Sequence, residues 1–125
     1  MATIKSHTDI EQSKKLAEIL PLESADMYWD YDVQKHEHYP MVMDDQFDDT
    51  CIRAWSLAGL LNVLPKGEHK DIDLCCGGYK GDKYIQEWFC SYEQQEPIII
   101  EICNADNPVD ACVDMIIKLH ELNLL

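Results

Sequence analysis

Basic residues are scarce in this chain. Ten lysines and arginines stand against 24 aspartates and glutamates, a formal net charge of −14 over 125 residues. A field of that sign repels phosphate backbones, so ordinary nucleic-acid binding is disfavoured. The phosphate-cradling motifs GxxxxGK[ST] and GxGxxG are missing as well. No purely apolar run is long enough to span a bilayer. Met1 to Lys15 is polar and lacks an apolar h-region, so no signal peptide is expected and the location follows as cytoplasmic. Repeats, linkers and low-complexity segments are also missing, which suits one domain over residues 1–125.

The charge is unevenly spread. Residues 22–50 carry nine acids against Lys35, and residues 86–125 carry eight against Lys118. Hydrophobic residues make up 46%, enough for a core, so the charge does not imply disorder. Six cysteines without an export signal read as reduced thiols, most of them buried. Cys75 and Cys76 are neighbours on a predicted strand and point to opposite faces, so one of them is expected in solvent.

Periodicity sets the expected elements. Thr8-Asp9-Ile10-Glu11 fits a capping box with Thr8 as N-cap, opening a helix over 9–20 that Pro21 stops. Met27–Val33 alternates large residues with acids, as a strand with one wet face does. His36-Glu37-His38 reads as a turn and Tyr39–Met43 as a short strand, on an edge because of Pro40. Leu57, Leu60, Leu61 and Leu64 form a helical stripe near 52–64 that Pro65 ends. Asp49 or Thr50 is a candidate cap there, or Ser56 for a shorter helix. Strands near 71–76, 83–92 and 97–103 are expected in one sheet, and the β-branched run Ile98–Ile102 suggests burial on both faces. Asn107-Pro108-Val109-Asp110 starts a helix near 108–122. The expected core includes Leu60, Leu61, Ile100, Ile116 and Ile117. The fold class is α+β, an antiparallel-rich sheet of three to five strands covered by three helices in a single layer pair.

No reaction centre stands out. An EF-hand loop starting at Asp44 needs Gly at its sixth position and Glu at its twelfth, where Asp49 and Trp55 stand. His36 and His38 flank Glu37 without zinc-ligand spacing. Gly78-Tyr79-Lys80-Gly81 matches a GXXG loop, but joins two strands rather than two helices. Ser56 lacks the glycines of a nucleophile elbow and reads as a cap. Cys90 or Cys103 with His120 is the remaining nucleophile candidate, in acidic surroundings that raise a thiol pKa. No catalytic residue, metal or cofactor is therefore expected. The aromatics Tyr28, Trp29, Tyr31, Tyr84, Trp88, Phe89 and Tyr92 read as sheet faces packed under helices.

Three stretches look familiar together: Ser13–Met27, Trp55–Pro65 and Asp106–Leu119. In that order they resemble a family of small uncharacterised proteins carried by prophages and mobile elements of gut anaerobic bacteria. The resemblance implies a mobile-element context and a bacterial cytoplasm, and no catalytic residues. The expected role is a non-enzymatic accessory protein that binds another protein. The expected partner has a basic surface, met by Asp30, Asp32, Asp44, Asp45, Asp48 and Asp49. A homodimer is a further option, and neither nucleic acid nor a membrane is expected. Two alternatives stand beside this: a DNA mimic that inhibits a host nuclease or DNA-binding protein, and a small-ligand or divalent-metal binding module.

Overall fold

The computed structural model describes residues 5–125. Three α-helices and two antiparallel three-stranded sheets make it an α+β protein. Where the sequence predicts one sheet, the strands thus divide between two. The chain forms two compact units, one of Ser6–Val63 and one of Leu64–Leu125 with Lys5. Among the described residues no helix is long and apolar enough to cross a membrane.

In the first unit, helix α1 covers Ile10–Ala17. Its capping box lies one residue later than predicted, with Asp9 and not Thr8 as N-cap. The Asp9 carboxylate accepts from the Gln12 N–H at 2.8 Å, and the Gln12 side chain accepts from the Asp9 N–H at 3.1 Å. Thr8 is fully buried and otherwise engaged. Its hydroxyl bonds the Ser13 hydroxyl at 2.8 Å and accepts from the Trp55 N–H at 3.1 Å. A buried hydroxyl must keep such partners, so the more exposed neighbour takes the cap.

Strands β1 (Met27–Asp32), β2 (Glu37–Val42) and β3 (Ile52–Ala54) form the sheet of this unit in the order β2-β1-β3. The sequence places residues 52–54 in a helix, whereas α2 begins only at Leu57 and runs to Val63. Asp26 accounts for that late start. Its carboxylate accepts from both the Ser56 N–H, at 2.8 Å, and the Ser56 hydroxyl. Ser56 in turn accepts from the Gly59 N–H at 3.1 Å, the shorter-helix cap. Gly59 allows the approach, because a Cβ there would stand 2.7 Å from an Asp26 oxygen.

The second unit holds β4 (Lys70–Lys80), β5 (Lys83–Gln95) and β6 (Ile98–Ala105) in that order, followed by α3 (Pro108–Glu121). The last three strands share one sheet, as predicted. Asn107 caps α3 by accepting from the Asp110 N–H at 2.8 Å, with Pro108 at the start of the helix. Asp110 also pairs with Lys5 at 2.8 Å. The helix packs on β5 and β6 and buries Val109, Cys112, Val113, Met115, Ile116 and Leu119.

One helix covers one sheet face, and that corrects the reading of β6. Cys90 and Cys103 are cross-strand partners, and Tyr92 is the partner of Glu101. These residues lie on the helix side, where Lys118 reaches Glu101 at 3.9 Å. Ile98, Ile100 and Ile102 alternate to the other face and are 79%, 59% and 60% exposed. Their β-branching suits a strand, but it does not by itself bury one. Of the five expected core residues, Leu60 and Ile116 are buried, Leu61 and Ile117 are half-buried, and Ile100 faces solvent. Cys75 and Cys76 are both exposed, because β4 is an edge strand beyond the two strands under α3.

Truncating Leu60 to Ala is expected to cost about 2–5 kcal/mol, the range for emptying a core site. Ile100→Ala should stay within about 0.5 kcal/mol, as surface substitutions do. Urea unfolding of both variants measures the difference.

Candidate interaction surface

The period of two places Tyr28, Asp30 and Asp32 of β1 on one face of the first sheet. Tyr39 of β2 is the cross-strand partner of Asp30, and Arg53 of β3 that of Tyr28. The acidic loop 43–51 folds back onto this face. Phe47 is its anchor: its ring meets Tyr28 edge-on at 5.4 Å, and the Arg53 guanidinium lies 4.7 Å above it. The loop entrance is tied by the Met43 N–H donating to the Asp26 carbonyl at 3.0 Å.

The acids predicted for binding fall into two groups. Most are engaged within the fold. Tyr28 donates to Asp44 at 2.7 Å, and the Gln46 N–H donates to the same oxygen at 3.0 Å. Asp48 accepts from the Thr50 N–H at 2.8 Å and from the Thr50 hydroxyl. Asp32 accepts from the N–H groups of Gln34 and Lys35, which shapes the turn into β2. Asp30 accepts from Tyr39 at 3.1 Å. The Cys51 sulfur stands 3.9 Å from Asp30 and 3.8 Å from Asp48, so the loop end meets the strand. Asp45 and Asp49 are exposed and take part in none of these bonds. The structure thus brings Asp30, Asp44 and Asp48 together around Tyr28 and Cys51, and leaves Asp45 and Asp49 outward.

The electrostatics follow from those contacts. The bond to Asp44, then burial, pushes the Tyr28 phenol well above its ordinary range. The bond to Asp30 raises Tyr39 in the same way. The Thr50 hydroxyl and N–H hold the Asp48 carboxyl below the usual range. Both phenols therefore stay protonated, and so stay hydrogen-bond donors to these carboxylates, further into alkali than a free tyrosine does.

Beside the loop lies a shallow cavity of ≈ 380 Å³ lined by Leu22, Glu23, Ala25, Met43, Phe47 and Arg53. It is an apolar hollow with one acid and one base on its wall. The sequence does not single out Phe47 as an anchor. Its one hint is a large apolar residue alone among four aspartates.

Other candidates resolve simply. His36 lies near the Tyr31 hydroxyl at 3.5 Å, and the His38 ring meets the Tyr31 ring at 5.0 Å. Among the described residues no group of three His, Cys, Asp or Glu side chains is placed to hold a metal ion. Gly78, Tyr79 and Lys80 end β4, and Gly81 with Asp82 turns the chain into β5. Cys90 and Cys112 meet in the core, and the interaction with Cys112, then burial, pushes the Cys90 thiol up. Burial first, then Asp114, pushes Cys103 up to about 11.

The chain matches no protein-family model, no curated protein and no solved structure.

Two outcomes are expected. Asp48 has a lowered folded-state pKa, so its charge stabilises the fold above the unfolded value of about 3.9. That contribution disappears as pH falls through the folded pKa. Asp48→Asn should therefore melt below the parent chain at neutral pH, and the gap should close in strong acid. Thiol alkylation read by mass spectrometry should modify Cys75 and Cys76 first, and Cys90 and Cys112 last.

Proposed function

We propose that this chain is a non-enzymatic accessory protein that binds another protein presenting a basic surface. The observation behind this reading is the loop 44–49. Asp44 and Asp48 spend their carboxylates holding the loop, and Phe47 pins it to the sheet. Asp45 and Asp49 are then displayed on a braced scaffold beside the apolar hollow of Leu22, Ala25, Met43 and Phe47. An apolar anchor site rimmed by charge is the usual anatomy of a protein–protein contact. Outward carboxylates steer a cationic partner and set the rate of encounter. A mobile element in a bacterial cytoplasm is the setting we propose, on the strength of the resemblance and the sequence.

The test is capture from a cell lysate on the immobilised chain, followed by kinetics with the purified partner. Association should slow steeply as salt rises, since steering is screened beyond about 8–10 Å at physiological ionic strength. Asp45→Asn with Asp49→Asn should lower the on-rate several-fold and leave the off-rate nearly unchanged. Met43→Ala should instead raise the off-rate. A salt-independent on-rate would contradict the proposal.

A further inference from the structure

The two sheets present four edge strands, β2 and β3 in one and β4 and β6 in the other. An exposed edge offers unpaired N–H and C=O groups to other chains, and natural proteins guard it with Pro, Lys, bulges or short length. β2 carries Pro40. β3 is three residues long. β4 begins and ends with lysine and bulges between Cys76 and Gly78. β6 has only one charge, Glu101, and that side chain is drawn to Lys118 on the helix side. The strand runs eight residues without proline or lysine, and its register against β5 shows no shift. Its open face carries the exposed row Ile98, Ile100 and Ile102.

We infer that β6 is a dimer interface, pairing antiparallel with β6 of a second copy about a two-fold axis at Ile100. The strand is self-complementary in that register. Ile98 falls opposite the partner's Ile102, Ile100 opposite the partner's Ile100, and Glu101 opposite the partner's Ile99. The apolar row then runs unbroken across both copies. Moving the axis one residue on, to Glu101, sets two carboxylates directly opposite each other, which is destabilising. Moving it one residue back, to Ile99, sets Ile102 opposite the partner's Glu96. The two-fold pairing is isologous, so a single patch serves both copies and the assembly closes as a dimer.

Size and charge set the strength. The three isoleucines expose about two whole side chains between them. That is well short of the roughly 800 Å² per partner of a standard interface, so the dimer is a weak one that forms with rising concentration. Each copy carries −14. Like charges oppose the encounter, so added salt strengthens this dimer. The sign is opposite to that of steering toward a basic partner, so the two proposals fail separately.

Sedimentation velocity on the full chain, up to about 200 µM protein, tests it at physiological ionic strength and at about 0.5 M salt. The dimer fraction should rise with concentration and with salt. Ile100→Lys should weaken the dimer at least about tenfold, since lysine is the natural edge guard. Val42→Lys, on the proline-guarded β2 and 71% exposed, should leave it unchanged. Amide hydrogen exchange of the unsubstituted chain gives a reading that needs no variant. Alternate amides of β6 should slow as concentration rises. A monomer throughout, a dimer indifferent to Ile100→Lys, or protection confined to other strands would overturn the inference.

Discussion

Asp26 holds Ser56 by its N–H and its hydroxyl, Asp9 holds the Gln12 N–H, and Asp48 holds Thr50 in the same two ways. Tyr28 donates to Asp44. In each case a carboxylate is satisfied by a neutral donor. A chain with so few bases has few cations to offer, so its carboxylates take the N–H and hydroxyl donors nearest them, Asp26 half-buried and Asp9, Asp44 and Asp48 at the surface. Two consequences follow. The acids organise local structure, setting the start of α1, the start of α2 and the path of the acidic loop. Their charge remains uncompensated, because an N–H or a hydroxyl removes none of it. The acidic field of the protein and the shape of its loops therefore come from the same residues.

This explains which parts of the structure are legible in the sequence. The α3 start at Asn107-Pro108-Val109-Asp110 is local chemistry, and it forms as read. Ser56 was one of three candidate caps, and the choice among them depends on Asp26, thirty residues away. The box at Thr8 slips to Asp9 because Trp55 and Ser13 claim the Thr8 hydroxyl. The bonds from Ser56 to Asp26 and from Trp55 to Thr8 span 30 and 47 residues and leave no mark in a local window. The isoleucine run of β6 shows the limit of composition. Period and β-branching identify the strand, but burial depends on how many helices there are to cover each face. The six candidate binding acids show the same limit. Their number is plain in the sequence, while their division into bonded and displayed groups depends on Tyr28, Tyr39 and Thr50.

The two units offer different surfaces. The first presents carboxylates braced by a pinned loop, next to a small apolar hollow. The second presents an apolar row on an edge strand free of proline, lysine and bulges. Under the two proposals salt acts on these surfaces with opposite sign, weakening the contact with a basic partner and strengthening the pairing of two copies.

The division of the acids can be measured directly. Asp44→Ala and Asp45→Ala remove the same charge from adjacent positions, so a general field effect is common to both. Urea unfolding at neutral pH should show a clear loss of stability for Asp44→Ala, which strands the Tyr28 hydroxyl and the Gln46 N–H. Asp45→Ala should be neutral or slightly stabilising, through relief of repulsion. Equal effects at the two positions would mean that the carboxylates act only as a diffuse charge, and would contradict the structural role assigned to them.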